Sequence, residues 1–92
     1  MRRRDRVELI LEMLEALHRE GGIGPTKLSL KVNLSYDRVK RVLDELAERG
    51  LVEVKPANDR RGAVVATLTL KGLELLLELR KVKSLLKDYG LL

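Results

Sequence analysis

The sequence predicts a mainly α domain of the α+β class, ordered helix, short strand, helix, helix, strand, strand, helix. Three observations predict it. Apolar residues recur at three- and four-residue spacing in three separate stretches. Two runs rich in Val, Thr and Leu flank the turn-forming segment PANDRRG at 56–62. Cap-forming residues and glycines fall at the ends of the periodic stretches.

Asp5 is the N-cap of the first helix, with Glu8 three residues later as in a capping box. Val7, Ile10, Met13, Leu14 and Leu17 form its apolar stripe, which Leu9 and Leu11 widen on either side. Such width predicts a helix covered on more than one side. Gly21 and Gly22 stop it. The Gly-Ile-Gly-Pro run at 22–25 has room only for a short extended segment. Pro25 or Thr26 then starts the second helix, with Leu28, Leu30 and Val32 as its apolar positions.

A turn at Asn33-Leu34 and a cap at Ser35 open the third helix, so 26–50 reads as a helix-turn-helix. In this helix Val39, Val42, Leu43 and Leu46 form one buried face. Its opposite, N-terminal front carries Asp37, Lys40 and Arg41, with Tyr36 and Arg38 on the flanks. Gly50 ends it as a left-handed cap.

Residues 51–55 alternate with period two and pair across the turn with 63–70. The tip of this hairpin presents Asn58, Arg60 and Arg61. Thr69 caps the last helix, which tolerates Gly72 in its first turn. Leu75, Leu79, Val82, Leu86 and Tyr89 then repeat as a heptad seam. A second apolar face (Leu70, Leu73, Leu76 and Leu77) exists only in the first half, and Arg80, Ser84 and Lys87 lie opposite the seam in the second. The economical reading has the first half packing on its own domain while the seam meets a second copy. The alternative folds the seam back onto the first helix.

Composition points the same way. With 92 residues, no Cys, Phe or Trp, and 36% charged residues, the chain makes a small core of Leu, Val, Ile and Ala. Dimerisation is then the natural source of further buried area. A lone histidine, His18, has no companion for a metal site or a catalytic triad, and no glycine-rich phosphate loop is present. Neither an enzyme, a metal nor a cofactor is expected. No apolar run is long enough to span a membrane, and Glu8, Glu12 and Glu15 interrupt the only candidate leader. A cytoplasmic, nucleoid-associated protein is expected.

The net charge of +5 is unevenly spread. Residues 1–6 hold four Arg against Asp5, and 25–41 hold five Lys and Arg against Asp37. Basic charge concentrated on a helix-turn-helix is the electrostatic footprint of nucleic-acid binding.

At this point the sequence resembles the small archaeal winged-helix DNA-binding proteins. The matching pieces are LEALHREGGIGPTKLS, NLSYDRVKRVLDELAERGLVE and LTLKGLELL. The resemblance covers about residues 7–79 and implies a winged helix-turn-helix at 1–70, its basic N-terminal arm included, with a dimerisation helix at 71–92. Some relatives dimerise through that helix as an antiparallel coiled coil. It also implies a double-stranded DNA partner and a role in transcriptional regulation.

On that reading the third helix, 35–49, enters the major groove with its first turns. Ser35, Tyr36, Asp37, Arg38, Lys40 and Arg41 are its contact candidates. The N-terminus of the second helix, with Thr26 and Lys27, suits phosphate, and Lys31 is a further contact candidate. Arg60, Arg61 and Asn58 on the 56–62 wing are candidates for the backbone or the adjacent minor groove. Arg2, Arg3 and Arg4 form an arm for the backbone or minor groove. Leu75, Leu79, Val82, Leu86 and Tyr89 are the expected dimer contacts. Two alternatives stay open: an architectural, chromatin-type DNA binder of low specificity, and a protein-interaction winged helix with no DNA role.

Overall fold

The computed structural model describes residues 5–57 and 62–92 of the chain. Among them the elements run α1 (Arg6–Glu20), α2 (Pro25–Val32), α3 (Tyr36–Glu48), β1 (Val52–Pro56), β2 (Val64–Leu68) and α4 (Leu70–Asp88). The two strands pair antiparallel, with Val52 opposite Leu68 and Pro56 opposite Val64. The expected short strand is a single bridge. Ile23 N–H donates to the Ala66 carbonyl at 3.0 Å and its own carbonyl accepts from Ala66 N–H at 2.8 Å. The strand β2 thus lies between Ile23 and β1.

Each helix with a side-chain cap begins where the sequence places it. The Asp5 carboxylate accepts from Glu8 N–H at 2.7 Å, the Ser35 hydroxyl from Arg38 N–H at 3.3 Å, and the Thr69 hydroxyl from Gly72 N–H at 3.0 Å. The turn of the helix pair is built on Asn33, which takes up a left-handed backbone at φ 56°. Leu34 N–H then reaches back to the Ser29 carbonyl at 3.0 Å, closing a Schellman motif that re-aims the chain into α3. Gly50, at φ 74°, repeats the device after α3, with Leu51 N–H donating to the Leu46 carbonyl at 2.9 Å.

The core is aliphatic, as composition required. Met13, Leu14 and Leu17 of α1, Leu28 of α2, Val39 and Leu43 of α3, and Leu76 of α4 are its largest fully buried side chains. The sheet adds Val52 and Ala66, and both tyrosines are exposed. Ser29 is the one buried polar residue among those described, and its hydroxyl is satisfied by donating to the Thr26 carbonyl at 2.6 Å.

Several apolar positions differ from expectation. Val7 is exposed and Leu9 buried, because α1 packs on α2, α4 and β2 and its core face is centred on Leu9, Met13, Ala16 and Leu17. Leu30 is 76% exposed: the two turns of α2 direct Leu28, Ser29 and Val32 inward and leave Leu30 behind. In α4 the second apolar face is only half used. Leu76 is buried and Leu73 packs on the core, whereas Leu70 and Leu77 face solvent. Leu75 and Leu79 also pack partly on the core, so the first part of the seam turns toward the chain's own domain. Beyond them Val82, Leu85, Leu86 and Tyr89 are exposed.

Gly72 is buried and required rather than tolerated, since the Leu51 carbonyl occupies the place of a Cβ. This contact is part of a joint between the end of α3 and the start of α4. Three consecutive carbonyls accept there: Arg49 from Lys71 Nζ at 3.1 Å, Gly50 from the Thr69 hydroxyl at 2.7 Å, and Leu51 from Thr69 N–H at 3.2 Å.

Candidate nucleic-acid interface

The candidate interface is built on α3. Its back, Val39, Val42, Leu43 and Leu46, is buried, and that anchors the helix with its other side outward. Ser35, Tyr36, Asp37, Arg38 and Arg41 are exposed, and Lys40 is half-buried. The Ser35 hydroxyl is engaged as the helix cap, so its first role is to start the helix. Lys40 pairs with Asp44 one turn later, Nζ to Oδ1 at 3.0 Å. Arg38 and Arg41 have no carboxylate partner among the described residues, so their guanidiniums are free to meet an incoming anion.

The front carries opposite signs at its two ends. Arg38, Lys40 and Arg41 lie in the first two turns, while Asp44, Glu45 and Glu48 follow. A polyanion is therefore attracted to the N-terminal half of α3 and repelled from the C-terminal half.

Thr26 and Lys27 are exposed in the first turn of α2, which has Gly24 as a cap without a side-chain acceptor and Pro25 as its first residue. Lys31 sits elsewhere. It pairs with Glu20 at 3.8 Å and lines a cleft of about 520 Å³ between α1, the end of α2 and α4, together with Glu12, Glu15, Arg80 and Lys83. Arg2, Arg3, Arg4, Asn58, Arg60 and Arg61 lie outside the described residues. The hairpin that carries the last three is closed by Ala57 N–H donating to the Ala63 carbonyl at 2.8 Å.

One basic residue joins the α3 surface from another element. Arg6, in the first turn of α1, pairs with Glu45 and lines a hollow beside Arg38 and Arg41. In the sequence it counts only toward the charge of the N-terminal segment, because nothing in the spacing brings 6 and 45 together. Its position one residue inside a capped helix was the available signal.

The described residues hold no group of three or more His, Cys, Asp or Glu side chains arranged for a metal ion. No helix is long and apolar enough to cross a membrane. Away from α3, the Arg80 guanidinium grips Glu15 through two hydrogen bonds, Nε to Oε1 at 2.6 Å and a terminal nitrogen to Oε2 at 3.0 Å. Those hydrogen bonds hold the Glu15 carboxyl below its ordinary range, against a smaller opposing effect of burial. They also tie α4 to α1.

A family model described as winged helix-turn-helix matches residues 3–87. No curated protein sequence matches. Among solved structures, the chain is similar to the transcriptional regulator BldR from Sulfolobus solfataricus, with 25% identity and a TM-score of 0.81 over 90% of this chain and 59% of that one. It is similar to MarR from E. coli in complex with operator DNA, with 22% identity and a TM-score of 0.74 over 78% of this chain and 51% of that one. It is also similar to the PcaV transcriptional regulator from Streptomyces coelicolor, with 21% identity and a TM-score of 0.83 over 88% of this chain and 60% of that one. The chain thus spans about half to three-fifths of the length of these structures.

Proposed function

Because the chain belongs to the winged helix-turn-helix family, whose fold is that of DNA-binding transcription regulators, we propose that it regulates transcription by binding duplex DNA as a homodimer on the nucleoid. The observation that carries this reading is the pair Arg38 and Arg41. Both are exposed on the first turns of a helix whose opposite face is buried, and both lack an acidic partner among the described residues.

The first turns of α3 enter the major groove, which admits a single helix. Arg41 or Arg38 makes a bidentate contact to guanine, and Lys40 exchanges Asp44 for a phosphate. Asp37 accepts from a cytosine amino group or orients a neighbouring arginine. The free N–H groups at the start of α2, with Thr26 and Lys27, receive a backbone phosphate. The 56–62 wing with Arg60 and Arg61, and the arm with Arg2, Arg3 and Arg4, extend to the adjacent backbone or minor groove. Two copies meet through the exposed part of the α4 seam, Val82, Leu86 and Tyr89, with Leu75 and Leu79 continuing it toward the core. The placement of Lys31 beside Glu20 and the α4 cleft favours a supporting electrostatic role over direct contact.

A salt titration of duplex affinity tests this. The expected result is a linear fall of log affinity with log salt, at about −0.9 per phosphate neutralised. A double change, Arg38→Ala with Arg41→Ala, is expected to lower affinity for the preferred duplex by at least about tenfold, the scale of one bidentate base contact. Affinity that is flat with salt, or unchanged in the double variant, defeats the assignment. Equal affinity for random and selected duplexes would instead indicate a low-specificity architectural binder.

A further inference from the structure

The flank of α3 that faces α1 has a composition unlike the rest of the surface. Arg38 and Arg41 stand three apart and Glu45 four further on, so all three share one side of the helix. Across from them Arg6 pairs with Glu45, both side chains partly exposed. These four groups enclose a hollow of about 170 Å³ floored by Leu9 and Val42. Three guanidiniums and one carboxylate leave the hollow with a surplus of two positive charges. Its floor is apolar, so field lines from the guanidiniums are less screened there than on an open surface.

The other flank of α3 is electrically compensated, since Lys40 is held by Asp44. The accessible positive charge of the helix therefore lies on the α1 side. Guanidinium forks match the paired oxygens of a phosphate, and Arg6 reaches the hollow already oriented by Glu45.

Resting on the duplex-binding reading above, we propose that this hollow is a phosphate subsite for one DNA strand, with Arg6 as a contact residue and Glu45 as the positioning residue that holds it. The phosphate oxygens take N–H groups of Arg6 that Glu45 leaves unused, and whichever of Arg38 and Arg41 does not read a base closes the site from α3. The backbone of the bound strand then passes over the start of α1, where the chain leads directly into Arg2, Arg3 and Arg4.

The test compares single variants of the full chain on two duplexes, one selected for tight binding and one random. Arg6→Gln is expected to flatten the salt slope by about 0.9 and to weaken binding roughly eightfold at 0.1 M salt, the counterion-release value for one phosphate. The loss should be equal on both duplexes, because phosphate contacts carry no sequence information. Lys81→Gln removes the same unit charge on α4, beside Glu78, and is expected to change affinity less than twofold. Arg6→Lys keeps the charge and should restore the slope. Should Arg6→Gln unfold the domain, Arg6→Lys and Glu45→Gln carry the comparison instead, with Glu45→Gln altering affinity equally on both duplexes. Arg6→Gln behaving like Lys81→Gln, while Arg41→Gln weakens binding, overturns the subsite and leaves duplex binding standing. A loss confined to the selected duplex overturns it in favour of a base contact. Wild-type protein that binds neither duplex removes both readings.

Discussion

Gly72 approaches Leu51 so closely that a Cβ added to it would lie 2.1 Å from the Leu51 carbonyl oxygen and 2.8 Å from Leu68 Cδ1. In an exposed helix, replacing glycine by alanine stabilises by about 1 kcal/mol. Here the sign reverses, because the obstructing atom is backbone, and that oxygen already accepts from Thr69 N–H. Gly72→Ala is expected to lower stability by about 1–3 kcal/mol, the usual scale of overpacking. The denaturant midpoint measures it, and a stabilised variant would show that the contact is not as tight as described.

Asn33 fixes the angle between α2 and α3 through its left-handed backbone. A β-branched residue resists that conformation, so Asn33→Val should cost about 1–2 kcal/mol. Asn33→Gly should lose much less, since glycine takes positive φ freely. Thermal unfolding of the pair separates them, and equal losses would exclude a conformational cause.

The Glu15–Arg80 pair makes stability depend on pH. The folded pKa of Glu15 is depressed relative to the unfolded chain, so the folded state binds its proton less readily. The contribution is therefore present above the ordinary carboxylate pKa and disappears as pH falls through the lower folded value. Glu15→Gln should be less stable than wild type near neutral pH by a small margin, given how exposed the pair is, and the margin should close in acid. A margin that persists unchanged in acid would point to packing instead of charge.

Val82 and Leu86 are exposed in the single chain, at 52% and 36%. Changing both to glutamate should leave the unfolding temperature of the monomer nearly unaltered while converting a dimer to a monomer in sedimentation. Wild-type protein that already sediments as a monomer at DNA-binding concentrations would exclude the seam as an interface.

Much of the fold was legible in the sequence because its punctuation is local. Asp5, Ser35 and Thr69 cap the helices by bonding three residues ahead, and Gly50 reverses the chain by its own backbone freedom. The buried face of α3 was legible for a related reason: an exposed front and a single packing partner side give a clean period. What the sequence concealed depends on contacts distant along the chain. Val7 and Leu9 exchange places because α1 is wedged among three elements, so several faces are apolar and the stripe alone does not select one. Gly72 looks permissive until the Leu51 carbonyl is seen beside it. Likewise Arg6 and Glu45 lie thirty-nine positions apart, and Lys31 answers to Glu20 rather than to the front of α3.

The three carbonyls that close α3 against the start of α4 have a mechanical consequence. Arg49, Gly50 and Leu51 fasten the chain that follows α3 to the start of α4, and the missing Cβ of Gly72 lets the Leu51 carbonyl approach that helix directly. A load on the exposed distal turns of α4 reaches the end of α3 through these three hydrogen bonds and one backbone contact. On the DNA-binding reading proposed above, a partner that grips the distal turns of α4 is connected by that joint to the helix that presents Arg38 and Arg41.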